Sequence, residues 1–447
     1  MQPADNETDE RRRRPLVQNS LARLAADGSG VVFGTVSSIV TARVLGPSSK
    51  GTLAALTLVT TIVIQASLMG LGDAMVVRVG QAKIAIDKAL RSSLSAVILS
   101  SAAGALAVLA YSVAQLPVHD RYVWPAVVIA CGTVGLSCVG QLLLFVVYAR
   151  HQMVTASVVT IATAATTTAA IIVLCAVLRL DVLGGALASL VAATVLFTSG
   201  ALALRREKIA MGFAWDSDYL RPALRFGLRA QGANLLAYST ARLDLLLVYA
   251  LTSATTAGQY SIALTIGTLS GFVALALSYA SFPGMAELPE AEALKQTAKL
   301  ARVAALVAVP FAAVMALLAA VVVPVLLGAA YKGSIVPGVV LLFGNVVWGQ
   351  QWLLSRALAA RADPNVLFWS FAANLASMTV ADLALIPVLG ALGAAIGSVV
   401  APTAGLIVCL RAYKKRGVAL REFIPGVADL SHFRELAATR FARARPR

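Results

Sequence analysis

The chain has 447 residues, of which 59% are hydrophobic and 13% charged, and its mean hydropathy is +0.82. Soluble domains carry about 25% charged residues, so this composition excludes an ordinary soluble globular protein. The formal charge of +16 does not point to nucleic acid, because the basic runs carry no interleaved aromatics and no RNP, zinc-finger or helix-turn-helix pattern.

Residues 1–21 form a basic, polar N-terminal segment without the apolar centre of a cleavable signal peptide. Twelve apolar stretches follow, over 22–44, 52–74, 93–115, 122–148, 153–178, 182–204, 228–250, 259–283, 302–327, 338–360, 365–387 and 390–411. Each is long enough to cross a hydrocarbon layer about 30 Å thick as a helix. The runs are continuous, without the two-residue alternation of a membrane barrel. The expected fold is therefore an all-α polytopic membrane bundle of about 12 transmembrane helices. If the N-terminus is cytoplasmic, 31 of the 37 Lys and Arg residues fall on the cytoplasmic side. That bias is the positive-inside rule. It predicts a multi-pass protein of the cell inner (cytoplasmic) membrane with both termini cytoplasmic, bathed in anionic membrane lipids.

Three cytoplasmic segments are longer than the rest. Residues 78–92 read as an amphipathic interfacial helix, 205–227 as a linker, and 284–301 as a soluble helix of mixed charge. The linker divides the chain into an N-terminal six-helix lobe (22–204) and a C-terminal one (228–411), followed by a basic tail (412–447). Residues 41–54 align with 248–261 at an offset of 207, which pairs Gly51 with Gly258. Two lobes of the same direction imply a pseudo-two-fold along the membrane normal, a transporter design with a central cavity. Gly184, Gly185 and Ala188, and Gly390, Gly393 and Gly397, read as close helix packing. Pro283, Pro310, Pro324, Pro387 and Pro402 are expected to kink or end spans.

Ionisable groups inside a span are costly and mark pathways. The seventh span holds Arg229, Arg242 and Asp244, and on an ideal wheel Gln231, Asn234, Tyr238, Arg242 and Tyr249 fall within an arc of about 80°. Arg242 is expected to face a wet cavity, and Asp244, on the other side, to pack against a neighbouring helix. In the first span Arg23 and Asp27 stand four apart. They read either as a local interfacial ion pair or as a gating or ion-coupling site, a role for which Asp244 is the other candidate. Asp73 and Asp382 are placed at the interface, near span ends. Asn345, Gln350, Gln351 and Asn374 either line a cavity or bond across helices. Cys131, Cys138, Cys175 and Cys409 lie in spans without CxxC spacing, and His119, His151 and His432 are scattered in loops and the tail. No nucleotide, hydrolase or metalloprotease motif appears. No catalytic residue, metal or cofactor is expected, and the chain does not read as an enzyme.

The stretch 226–263 (FGLRAQGANLLAYSTARLDLLLVYALTSATTAGQYSIA) resembles the central signature of bacterial polysaccharide and O-antigen flippases. There an Arg-x-Asp span precedes a Gly-x-Tyr at the start of the next span, here Arg242, Asp244, Gly258 and Tyr260. SFPGMAEL (281–288), VPVLLGAAYKG (323–333), LIPVLGALGAAIGS (385–398) and ARVLGPSSKGTLAAL (42–56) are similar to further parts of the pattern, though Thr52 and Leu53 stand where an aromatic is usual. The resemblance implies the multidrug/oligosaccharidyl-lipid/polysaccharide exporter superfamily. Its flippases move undecaprenyl-pyrophosphate-linked oligosaccharides from the inner to the outer leaflet by alternating access, for cell-surface polysaccharide biosynthesis. On that reading Arg242 donates to pyrophosphate, and Gln231, Asn234, Tyr238 and Tyr249 contact sugar hydroxyls. The partners would be the lipid-linked oligosaccharide and a glycan polymerase or glycosyltransferases. Three alternatives stay open: a cation-coupled multidrug antiporter with Asp27 as its acid, a flippase for a lipid-linked cell-wall precursor, and a non-transporting scaffold for glycan enzymes.

Overall fold

The computed structural model describes residues 3–81, 84–117, 120–150, 152–240, 242–285, 289–359 and 364–424, with 3–21, 24, 230, 233, 234, 237, 272–285, 359 and 364 described by backbone alone. Asn234's side chain, Lys83, Arg361, His119, His151, His432, residues 286–288 with the side chains of 281–285, and the tail beyond 424 thus lie outside the described residues.

The described residues are helical from end to end. The helices are α1 (Pro3–Ser67), α2 (Leu71–Gly80), α3 (Ile86–Gln115), α4 (Val123–Ala149), α5 (Met153–Ile171), α6 (Asp181–Arg206), α7 (Ser217–Thr240), α8 (Leu243–Leu251), α9 (Ala254–Met285), α10 (Glu290–Leu327), α11 (Ile335–Ala359), α12 (Pro364–Leu389) and α13 (Ala391–Lys415). Among the described residues nine segments are long and apolar enough to span a membrane, one of them, Ala25–Gly80, of double length. Counting that segment twice, and adding the α7–α8 pair and α9, recovers the twelve expected traverses. The chain is an all-α polytopic membrane protein. Large side chains such as Leu317, Val325, Val380 and Val388 stand exposed on these helices, as lipid-facing positions do.

The first two spans are one helix interrupted at Gly46 (φ 76°, ψ 173°). That φ suits a residue without Cβ, and Pro47 restarts the helix with its own φ pre-set. The segment 78–92 is not one interfacial helix: α2 ends at Gly80 and α3 begins at Ile86. The expected linker 205–227 is helical in its second half. Asp216 ends it as an irregular segment, because its Oδ1 accepts from the backbone N–H groups of Asp218 (3.0 Å) and Tyr219 (3.3 Å) and so caps α7. The mixed-charge segment 284–301 does not stand apart either. From Glu290 it runs without a break into the ninth span as α10, and Pro310 and Pro324 sit inside that helix.

By contacts the chain divides into two compact units, Met1–Ile262 with Leu326–Lys332, and Ala263–Val325 with Gly333–Arg447. In the first, α4 packs on α3 and α6, and α1 packs on α5. In the second, α13 packs between α11 and α12. Buried Leu294, Leu353, Leu354, Leu358 and Tyr413 fill one end of that second unit. Asp382, expected at an interface, is fully buried on α12, and Gln351 and Asn374 are fully buried too. Asn374 Nδ2 donates to Gln351 Oε1 at 2.8 Å. Gln351 and Asn374 therefore bond across helices, whereas Asn345 Nδ2 donates to the Leu341 carbonyl of its own helix at 3.0 Å.

Candidate functional site

The seventh span is broken. α7 stops at Thr240, and Arg242 adopts φ −145°, ψ −14° before α8 begins at Leu243. Ser239 and Thr240 precede the break, and Thr240 Oγ1 donates to the Leu236 carbonyl at 2.7 Å. Such hydroxyls compete for the backbone and bend helices. The expectation of one continuous polar face through 231–249 is corrected accordingly: the helical register ends before Arg242.

The two sides of the break have different environments. On α7, Gln231 and Tyr238 are seven residues apart and share one cavity of 260 Å³. Its other polar walls are Gln65 at the end of α1 and Asp73 on α2, and Phe145 of α4 adds an aromatic face. Gln231 Nε2 donates to the Gln65 carbonyl at 2.6 Å, which fixes the amide and leaves its Oε1 as an acceptor. Tyr238 stands within hydrogen-bonding reach of Thr61, which belongs to a second cavity of 230 Å³ walled by Thr57, Thr60, Thr133, Ser137 and Gln141. Thr60, Thr61 and Thr133 each donate to a carbonyl of their own helix, so they also present acceptor oxygens.

On α8 the side chains are packed away. Tyr249 is buried, and its hydroxyl lies 3.3 Å from Thr52 Oγ1. It is not on the wall of either of these cavities. Asp244 is fully buried and accepts from the Tyr260 hydroxyl at 2.5 Å, as expected of a group packing on a neighbouring helix. Arg242, at the break, is half-buried, and its guanidinium makes no hydrogen bond or ion pair to a side chain among the described residues. Arg23 pairs with Asp27 at 3.3 Å and donates from Nη1 to the Tyr148 hydroxyl at 2.9 Å. The structure thus forms the local ion-pair geometry and ties it to α4.

Sequence reasoning missed Gln65, Asp73 and Phe145. Asp73 was hidden because 52–74 reads as one span, whereas the chain turns at Met69 (φ 50°) and Gly70 (φ 66°) and starts a new helix. The turn aims the first residues of α2 at α4 and α7, on which α2 packs.

Gly51 and Gly258, paired by the repeat, meet in space. A Cβ built on Gly51 would lie 2.8 Å from the backbone nitrogen of Gly258, and one on Gly258 would lie 3.1 Å from that of Gly51. Each would also collide with a carbonyl oxygen, Gly51 with that of Ala254 and Gly258 with that of Pro47. Pro47 and Ala254 are themselves repeat partners at the offset of 207. Reciprocal contact of this kind, residue i on j and j on i, is what a two-fold axis produces where it passes between its copies. Asp244, Gly258 and Tyr260 of the Arg-x-Asp…Gly-x-Tyr signature thereby have a physical account. Asp244 holds Tyr260, and Gly258 lets α9 approach α1 backbone to backbone.

Residues 40–336 match the sequence profile of a family described as "Polysaccharide biosynthesis protein". The chain belongs to that family. No curated relative matches it by sequence. Among solved structures it is similar to the lipid II flippase MurJ in an inward closed conformation, at TM-score 0.71 and 14% identity, covering 90% of this chain and 89% of that one. It is also similar to a Vibrio cholerae MATE transporter, at TM-score 0.58 and 16% identity over 90% and 96% of the two chains. A third is an inward-facing multidrug resistance MATE family transporter of the MOP superfamily, at TM-score 0.59 and 15% identity over 88% and 98%. The family member therefore has the fold of MOP-superfamily membrane transporters.

Proposed function

We propose that this family member is a flippase that carries a lipid-linked oligosaccharide, joined to its polyprenyl carrier by pyrophosphate, from the inner to the outer leaflet of the cytoplasmic membrane. The observation that carries the reading is the acceptor-rich cavity formed by Gln65, Asp73, Gln231 and Tyr238 beside Phe145. Sugar hydroxyls are donors in search of acceptors. A carboxylate, an amide oxygen held by its own nitrogen's bond, and aromatic faces meet that need. At 260 Å³ the space suits about one sugar ring, and small-molecule sites begin near 300 Å³.

Asp73 makes the same cavity unwelcoming to pyrophosphate. The anion belongs at Arg242, whose planar fork matches phosphate oxygens bidentately. Arg242 follows α7 at the helix break, further along the chain than the cavity residues, which supports assigning it the pyrophosphate of a substrate whose sugar lies in the cavity. The lobes 22–204 and 228–411, related by the repeat through Gly51 and Gly258, would supply alternating access. The sequence has no nucleotide motif, so the energy would come from an ion gradient or the membrane potential, about 2.3 kcal/mol per charge per 100 mV. Glycosyltransferases and a polymerase would act before and after the flip, on opposite faces.

The test is Arg242→Ala. Surface glycan export should fall while membrane insertion stays normal; full export at normal abundance would remove the proposal. One observation favours a second reading, a cation-coupled multidrug antiporter: Asp73 sits in the cavity as a buried acid would for cation exchange. In that case Asp73→Asn abolishes resistance to cationic drugs in expressing cells. A flippase leaves drug resistance unchanged.

A further inference from the structure

The second unit carries a site unrelated to the α7 cavity. A groove of 600 Å³ runs between the start of α12 and the end of α13. These are the same end of an antiparallel pair, joined at the far end through Gly390. The groove is graded in depth. Asn365, Val366 and Lys415 stand nearest the helix ends at its mouth, Arg411 and Trp369 one turn further in, and Val408 deepest, on its floor. At 1.5 Å per residue Trp369 lies about 6 Å further along α12 than Asn365, and Arg411 and Val408 about 6 Å and about 10 Å back along α13 from Lys415.

The charges of the groove are not equivalent. Arg416 also lines the groove, and its Nε lies 3.5 Å from Glu290 Oε1, so it is committed to α10. Arg411 and Lys415 are exposed and have no ion pair to another described residue. They are one helical turn apart on one face. Trp369 is exposed although large and aromatic, and its ring meets Phe368 edge-on with centroids 5.5 Å apart. Indole rings favour the headgroup level of a bilayer.

We propose that this groove holds the phosphate headgroup of an anionic glycerophospholipid, with Arg411 and Lys415 on the phosphate, Asn365 on the glycerol or headgroup oxygens, and Trp369, Val366 and Val408 along the upper acyl chain. Cations beside an apolar floor select the occupant. A free phosphate or an acidic peptide would satisfy the cations and leave the apolar floor unused. A polyprenyl pyrophosphate would take up both uncommitted cations and has no glycerol oxygens for Asn365. A phosphodiester with acyl chains matches both cations and floor, and basic pockets between helices on the cytoplasmic side are where such lipids lodge.

The experiment uses the full chain in neutral detergent, with native mass spectrometry as phosphatidylglycerol or phosphatidylcholine is added. Phosphatidylglycerol should be retained in preference, as one or two bound copies. R411Q and K415Q should each weaken retention about fivefold and together about 25-fold, following about 1 kcal/mol per basic residue near an anionic surface. Arg411→Lys should restore most of the loss from R411Q. Elution volume and melting should stay at wild-type values, since both side chains are exposed. Equal retention of phosphatidylcholine, unchanged retention in the double variant, or displacement by millimolar inorganic phosphate or by a polyprenyl pyrophosphate at equal concentration would each overturn the proposal.

Discussion

Gly258→Ala is the most demanding test of the architecture. The new Cβ would start 3.1 Å from the Gly51 nitrogen and closer still to the Pro47 carbonyl oxygen. Carbon contacts settle near 3.5–4.0 Å, so two backbones would have to part by roughly 1 Å, and neither is a side chain that can swing aside. Overpacking a core costs about 1–3 kcal/mol, and the rigid partners place this site at the upper end, about 3 kcal/mol. A unit of this size loses about 2–4 °C of melting temperature per kcal/mol, so the midpoint should drop by about 6–12 °C. The matched control is Gly132→Ala on α4, where a Cβ meets nothing within 4 Å and a helical alanine is slightly favoured. Melting can be followed by fluorescence-detected size exclusion after heating detergent-solubilised protein. Identical midpoints for the two variants would refute the claim that the repeat glycines form a backbone-to-backbone contact.

Two further predictions concern other joints. Tyr260→Phe removes the donor to fully buried Asp244 and should destabilise by about 1.5–3 kcal/mol; adding Asp244→Asn to that variant should cost less than Asp244→Asn does alone, a coupling readable in a double-mutant cycle of melting midpoints. Where α4 and α6 end and α5 begins, Glu207 accepts from Arg150 Nη2 at 2.8 Å and Gln152 Nε2 at 2.6 Å, and these bonds, Arg150's first, hold its carboxyl below the usual carboxylate range. A lowered pKa means the clamp is fully present above the ordinary glutamate range and is lost as pH falls through the folded value. Hydrogen–deuterium exchange at the end of α6, corrected for the intrinsic pH dependence of exchange, should therefore show strong protection at pH 7 that is lost only below the ordinary glutamate range. Glu207→Gln should show the weaker protection already at pH 7, and wild-type protection in that variant would dismiss the clamp.

Much of the fold was legible because a bilayer leaves a chain few options. Length and continuity of the apolar runs give twelve traverses, and the structure supplies them. The repeat was legible at Gly51 and Gly258 because only glycine allows that approach, whatever the surrounding apolar residues drift to. The interruptions were not legible. The breaks at Gly70 and Arg242 lie inside stretches read as single spans, and hydropathy registers transfer to lipid, not backbone direction. That single gap explains where the reading stops short. An ideal wheel cannot carry a face past the break at Arg242 to Tyr249, and a span drawn straight to residue 74 does not show that the turn before α2 brings Asp73 to the cavity. Asp382 makes a related point, since position in a span does not tell whether a side chain is buried once helices pack.

The proposed flippase turns over a pyrophosphate-linked sugar lipid with the sugar in the α7 cavity and the anion at Arg242. It is tested most directly in proteoliposomes loaded with a fluorescent undecaprenyl-pyrophosphate oligosaccharide, under an imposed membrane potential, by counting the fraction that becomes accessible to an external glycosidase. The account predicts rapid transfer by the wild type, at least tenfold slower transfer by Gln231→Ala and by Arg242→Ala at equal reconstitution, and no effect of Tyr249→Phe. Transfer at the same rate with and without protein, or unaffected by either substitution, would contradict it.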